Sequence, residues 1–297
     1  MTLRGERLTH AAFADDMTLM SRSWISMKRM LSTLRDALAK SGLTLQPSKC
    51  KVHKHLAEWD RRGNTIIDEN LSVEILDADS NLTLLGTILN LTDATQHEVE
   101  NRIAAGWKLF WGLKRVLLNK NVSVHRRLRL LDTTVGSCAT WCCESWTPRA
   151  NELRQLESAR RSMLRKIVCP HRCPNEEWLD WIRRATRKAL DWASRAGVRQ
   201  WCNHHFERKW RWAGHVARSS ADSWLYRVTV WRDSAWQEMA DEMGSMRETR
   251  PSRRRWMKWE DGLRRFCAAS GLKPWQELAG TREDWSSYTS SFRDWCS

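Results

Sequence analysis

The chain has 297 residues and carries 50 Lys and Arg against 35 Asp and Glu, a net charge of +15 at neutral pH. Its 41% hydrophobic and 29% charged residues favour a folded chain over a disordered one, and its length leaves room for one large or two ordinary domains. The sequence has no apolar run near the ~18 residues that a membrane span needs, and no apolar leader in its first residues. It therefore predicts an intracellular protein without a membrane partner, with a nuclear location left open.

The first predicted element is a hairpin over residues 8–20. Two acids, Asp15 and Asp16, lie between two short apolar runs. This pattern predicts a strand, a tight turn and a second strand, with both acids at or near the tip.

A helix over Trp24–Lys40 is predicted to follow. Ser23 is placed to cap its start, and Gly42 is suited to end it. One apolar stripe recurs at the three- and four-residue steps of a helix. It consists of Trp24, Met27, Leu31, Leu34 and Leu38.

The next segment, up to residue 92, favours strands. Residues 43–52 predict a short strand and a turn, residues 53–80 favour a hairpin, and residues 82–89 predict a strand broken by Gly86. From residue 95 the apolar spacing is helical almost to the end of the chain. The sequence thus predicts an α+β fold, in which a small antiparallel segment precedes a long helical one.

The acidic pair is a candidate metal site. Mg²⁺ prefers carboxylate oxygen, and nucleotidyl transfer uses two such ions about 3.5–4 Å apart. Since consecutive strand residues point to opposite faces, Asp15 is the stronger ligand candidate and Asp16 the supporting one. Taken alone, an Asp-Asp pair is more often a turn acid or a helix cap.

The second half of the chain is the more basic. Residues 151–297 hold 29 basic and 19 acidic side chains, and 14 of the 20 tryptophans lie from Trp178 onward. Cations bind phosphates and flat rings stack on unpaired bases, so this half predicts binding to single-stranded RNA or a primer-template. The candidate phosphate contacts are Lys209, Arg211, Arg253, Arg254, Arg255 and Lys258.

The tryptophans have a second interpretation. The pairs Trp107/Trp111, Trp178/Trp181 and Trp256/Trp259 stand at helical steps, as residues of a buried stripe do. We therefore expect most of the rings to lie in the core.

The nine cysteines predict free thiols, because an intracellular chain keeps its cysteines reduced. A zinc site was considered and is not predicted, since the spacing matches no standard ligand pattern. Buried thiols and helix-end histidines are the favoured interpretation. The thiols and imidazoles in question are Cys169, His171, Cys173, Cys202, His204 and His205.

Several of these motifs resemble, in the same order, those of non-LTR (LINE-type) retrotransposon reverse transcriptases. Phe13-Ala14-Asp15-Asp16 resembles the (Phe/Tyr)-x-Asp-Asp hairpin of that family. Gly42-Leu43 and the turn at Pro47–Lys51 resemble the family's next motif, a Gly-Leu strand and a lysine turn. Leu84-Leu85-Gly86 resembles the primer grip. The helices up to Trp146 resemble the thumb, and the basic segments 211–218 and 253–261 resemble the tail that follows it.

The resemblance implies three regions: the end of the palm at 1–92, thumb-like helices at 93–148, and a basic Trp-rich helical tail at 149–297. It also implies an RNA template and a DNA primer as partners. In such an enzyme Asp15 and Asp16 hold Mg²⁺, and Phe13 stands beside them. Lys49 lies near the incoming triphosphate, and Leu85 and Gly86 position the primer end.

The sequence also departs from the family. The fingers and the aspartate of an earlier palm strand do not occur in it, so the resemblance implies that this chain alone is inactive and works with an N-terminal polymerase part. Leu84 and Gln46 replace the usual Tyr and Asn. Two alternatives stay open: a non-catalytic nucleic-acid-binding protein derived from such an element, and a decayed reading frame without a selected role.

Overall fold

The computed structural model describes residues 2–3, 6–21, 23–53, 63–68, 71–77, 79–230 and 258–297. The chain forms two compact units, residues 1–98 and residues 99–297. Among the described residues, small sheets occur only in the first unit and helices dominate the second, which confirms the predicted α+β class. Among the described residues, no helix has both the length and the apolar character to cross a membrane.

The first unit contains short strands that pair locally. β3 and β4 form the predicted antiparallel hairpin, and β6–β7 and β8–β9 are hairpins as well. One pair differs from the rest, because β5 runs parallel to β7. The strands are β1 (Thr2–Leu3), β2 (Glu6–Arg7), β3 (His10–Phe13), β4 (Asp16–Leu19), β5 (Lys51–His53), β6 (Gly63–Asp68), β7 (Leu71–Leu76), β8 (Leu82–Leu84) and β9 (Thr87–Leu89).

Helix α1 (Trp24–Lys40) has the predicted bounds. The Ser23 hydroxyl accepts the Ser26 N–H, which satisfies one of the free donors of the first turn. Gly42 follows the helix with a φ of 73°, a conformation that glycine adopts without strain. Leu31 of this helix packs with Val73 of β7 in the small core of the unit.

The second unit confirms the helical prediction for its described residues. The helical segment 124–139 contains one turn of π-helix, at Leu131–Gly136. In the part of the chain that the structure describes, the helices after α1 are α2 (Ala94–Gly112), α3 (Lys114–Leu117), α4 (Val124–Leu130), α5 (Ser137–Ala139), α6 (Ala150–Val168), α7 (Trp178–Arg195), α8 (Trp201–Ala217), α9 (Trp224–Val230), α10 (Asp261–Ala269), α11 (Trp275–Leu278), α12 (Arg282–Ser287) and α13 (Thr289–Cys296).

The core of the second unit crosses the division predicted at residue 148. One cluster joins Val135 and Leu128 to Leu156 and Met163 of α6 and to Trp201 of α8. Residues on both sides of 148 therefore fold around shared apolar side chains within one compact unit.

A second cluster explains the motif at 211–218. The rings of Trp210 and Trp285 stack at 3.6 Å, and each indole N–H donates to the other residue's carbonyl oxygen. Gly214 faces Trp285 so closely that an added Cβ would lie 2.6 Å from the ring. The glycine of this motif is therefore required by packing.

Candidate functional site

The acidic hairpin turns within two residues. Phe13 pairs with Asp16, so Ala14 and Asp15 form the turn, and Asp16 is the first residue of β4. Ala14 has a φ of 51°, in the left-handed region that favours glycine. Strained backbone of this kind is concentrated at functional sites, which makes the turn a candidate site on geometry.

Both carboxylates of the hairpin face solvent. Asp15 and Asp16 are exposed, Phe13 is 67% exposed, and neither acid has an ion-pair partner among the described residues. Two hard oxygen donors on adjacent residues fit the ligand chemistry of Mg²⁺. Within the described part of the chain no third acid, histidine or cysteine joins them in a metal-binding group.

Lys49 lies in a short helical turn, Pro47–Lys49, and is exposed. Its neighbour Cys50 packs against the core pair Leu31 and Val73, as does Leu19 of β4. One small core thus connects the second strand of the acidic hairpin with the lysine turn.

Leu85 and Gly86 form the turn of the β8–β9 hairpin. Their φ values are 49° and 76°, which suits the tight turns that close two-residue hairpins. The Ile88 N–H of β9 donates to the Glu98 carboxylate at 2.6 Å. This bond fixes the hairpin to the beginning of α2.

One face of α8 carries exposed basic and aromatic side chains. Arg211 and Trp212 are exposed, and the Trp212 ring lies 5.1 Å from that of His215. Arg211 has a loose ion pair with Glu207 at 3.7 Å. A guanidinium this exposed remains available for a phosphate.

Lys209 is not on this surface, and its placement corrects the sequence-based expectation. It is 6% exposed, its Nζ donates to the Trp146 carbonyl oxygen at 3.2 Å, and it lies 5.3 Å from the Trp259 ring. Burial lowers its pKa to about 8. Lys209 therefore supports the fold and is not placed to contact a phosphate.

The structure describes the remaining candidate phosphate contacts only in part. The Lys258 backbone N–H donates to the Asp261 carboxylate at 2.7 Å, immediately before α10. Arg253, Arg254, Arg255 and the ring of Trp256 lie outside the described residues.

The cysteines and histidines considered for zinc lie in different environments. His205 is buried, its Nδ1 is 2.6 Å from the Cys143 carbonyl oxygen, and burial lowers its pKa to about 3. The Cys202 thiol donates to the Leu153 carbonyl oxygen, and burial raises its pKa to about 12. Cys169 and Cys173 are exposed.

Comparison with known proteins gives one informative similarity. The chain is 26% identical over 294 residues to an uncharacterized transposon-derived protein of Caenorhabditis elegans, and the match covers 96% of both chains. No family model matches the sequence. No solved structure matches it either.

Proposed function

We propose that this chain is the C-terminal part of a non-LTR retrotransposon reverse transcriptase, made of the end of the palm, the thumb and a basic tail. The observation that carries the proposal is the hairpin that holds Phe13, Asp15 and Asp16 at a strained two-residue turn. The order of the elements that follow supports it. The similarity to a transposon-derived protein supports an origin in a transposable element.

Each site residue has a defined role in this proposal. Asp15 and Asp16 bind Mg²⁺, which, when bound, neutralises charge on the attacking and leaving oxygens. The Lys49 ammonium, exposed at its turn, binds the triphosphate of the incoming nucleotide. The Leu85–Gly86 turn, rigidly attached through Glu98, supports the primer end.

The proposal includes a partner segment. Two metal ions need more ligands than two adjacent carboxylates provide. We place the additional carboxylate on an N-terminal polymerase segment, which also supplies the surface for template and nucleotide. Since the hairpin carboxylates are exposed and without ion pairs among the described residues, they are accessible to such a segment.

Metal binding at the hairpin is directly testable in the chain as it stands. We expect Mn²⁺, titrated into nitrogen-15-labelled protein, to broaden the amide signals of residues 13–17 first. Asp15→Asn should remove this selective broadening, and Asp16→Asn should weaken it. Asp36→Asn, which changes an exposed acid of α1, is the matched control and should leave it unchanged.

Two outcomes would contradict the metal assignment: broadening that begins at other acidic residues, or an Asp36→Asn variant that loses the hairpin signal as completely as Asp15→Asn does.

A second candidate function is nucleic-acid binding without catalysis. The exposed Arg211, Trp212 and His215 on one face of α8 favour it, since they combine a phosphate contact with rings that can stack. Selective Mn²⁺ binding at the hairpin separates the two candidates, because a purely binding protein has no use for it.

The tail arginines predict a specific salt dependence. Each phosphate contact contributes about 0.7 to the slope of log affinity against log salt on single strands. Replacing Arg253, Arg254 and Arg255 with Ala should therefore flatten the slope by roughly 2 if all three bind phosphate. Arg183→Ala is the control, because Arg183 is exposed and paired with Asp180. A triple variant with an unchanged slope would remove these arginines from the interface.

A further inference from the structure

A basic surface outside the residues assigned so far is evident once the helices are in place. Residues 101–131 contain eight Lys and Arg and no Asp or Glu, and residues 158–175 contain five and none. The structure brings the two segments together, because the Arg127 guanidinium donates to the Ile167 carbonyl oxygen and Lys166 lies over Trp111. Two acid-free segments thus form adjoining parts of one unit.

Some cations of these two segments are buried and stabilise the fold, whereas others are exposed and can bind a ligand. Arg127 and Arg160 are buried and donate to backbone carbonyl oxygens. Lys108, Arg115 and Lys166 are exposed, and none of them has an ion-pair partner among the described residues. These three side chains are therefore positioned to bind an anion.

An exposed indole lies among these cations. Trp111 is 45% exposed, so the expectation that it belongs to a buried stripe is wrong. Its ring stacks against that of Trp107 at 6.1 Å, and the Lys166 ammonium lies 5.3 Å from its centre. Lys108 lies one helical turn before Trp111 on the same face of α2, and Arg115 follows on α3. The ring thus lies at the surface beside the Lys166 ammonium, with Lys108 one helical turn away.

We infer that Trp111, Lys108, Arg115 and Lys166 form a binding site for an unpaired stretch of nucleic acid, in which a base stacks on the indole and the neighbouring phosphates bind the three cations. The absence of acids from residues 101–131 and 158–175 gives the surface the charge that a polyanion needs. An exposed flat ring favours an unpaired base over a duplex, whose bases are already stacked.

Lys166 does not block this site. A cation over an exposed ring is held more weakly than a stacked base is, and lysine carries its charge on a flexible stem. When a base stacks on Trp111, the Lys166 ammonium can therefore turn to the adjacent phosphate. The inference does not depend on the polymerase assignment, because none of these four residues binds metal, triphosphate or primer end in that proposal.

The test measures the anisotropy of dye-labelled twelve-nucleotide oligo(rU), oligo(dT) and a duplex as the full-length chain is added. Trp111→Ala should weaken single-strand binding roughly 5- to 100-fold, and Trp111→Phe, which keeps a ring, should retain most of the affinity. The matched control is Trp178→Ala, since Trp178 is 55% exposed on α7 and should not matter. Lys108→Ala should flatten the salt slope by about 0.7.

A second readout separates a binding role from a structural one. Irradiation of a bromouridine oligonucleotide should crosslink to the peptide that contains Trp111, while circular dichroism shows that the variants are folded. Weaker binding of oligo(rU) or oligo(dT) by Trp111→Ala supports the site. The ratio of the unmodified chain's affinities for the two oligonucleotides shows whether the site prefers RNA or DNA. The inference is overturned if Trp111→Ala binds within twofold of the unmodified chain, if Trp178→Ala loses as much, or if the duplex binds as tightly as the single strands.

Discussion

Replacing Arg127 with Ala should lower the free energy of unfolding by about 3–5 kcal/mol, because three carbonyl groups, two of them in buried hydrogen bonds, lose their donor. Arg127 is 5% exposed in the second unit. Its Nε donates to the Val122 carbonyl oxygen at 2.9 Å, and its Nη1 donates to those of Leu117 at 3.1 Å and Ile167 at 2.7 Å. The side chain thus joins the end of α3, the beginning of α4 and the end of α6.

The neighbouring arginine provides the control. Arg126 precedes Arg127 on α4, has the same charge and is exposed. Arg126→Ala should change the free energy of unfolding by less than about 0.5 kcal/mol in urea titrations followed by circular dichroism. Similar losses in the two variants would show that net charge matters here and that the three hydrogen bonds do not.

Local chemistry made part of the fold predictable from the sequence. Ser23 and Gly42 flank an apolar stripe of helical period, and helix α1 has the predicted bounds. The acidic hairpin was predictable for a similar reason, since two short apolar runs surround Asp15 and Asp16. Each of these signals lies within a few residues of the structure that it determines.

Burial in the helical unit was less predictable, because it depends on contacts distant in sequence. In the segment Lys209-Trp210-Arg211-Trp212 every residue is a cation or a ring, so the pattern cannot show which side of the helix is buried. The structure buries Lys209 and Trp210 and leaves Arg211 and Trp212 exposed. Hydrogen bonds determine which residues are buried: Lys209 bonds to Trp146, 63 residues away, and Trp210 bonds to Trp285, 75 residues away.

In each of the two site turns, one residue gives no sequence signal for the backbone conformation that it adopts. Two-residue turns with a positive φ favour Gly or Asn, whereas Ala14 and Leu85 occupy such positions here. The parallel pairing of β5 with β7 is likewise a tertiary result, since no local pattern specifies the direction of a neighbouring strand.

The acid-free segments could have been found by a finer count of charges. Over residues 1–150 the excess of basic residues is only five, 21 against 16. Acids concentrated before residue 101 conceal the run of eight Lys and Arg at 101–131. That Trp111 is exposed could be recognised only from the structure.

The largest expected effect on activity concerns the hairpin carboxylates. If Asp15 holds Mg²⁺ in the assembled polymerase, Asp15→Asn removes a charged ligand from ions that stabilise the transition state. We expect the rate of nucleotide addition to fall at least about a thousandfold, equivalent to roughly 4 kcal/mol. Asp36→Asn, an exposed acid on α1 that is paired with Arg35, should leave the rate unchanged.

Template-dependent DNA synthesis tests whether this chain is the C-terminal part of a reverse transcriptase. The chain is joined to the fingers-and-palm segment of a non-LTR reverse transcriptase. That donor segment lacks its own acidic hairpin and everything that follows it. Extension of oligo(dT) on poly(rA) is measured with Mg²⁺, and the donor enzyme's own C-terminal part serves as the positive control. We expect the primer to be extended with the unmodified chain and with Asp36→Asn, and we expect no extension with Asp15→Asn. Extension that persists in Asp15→Asn would contradict it, as would no extension with the unmodified chain where the positive control succeeds.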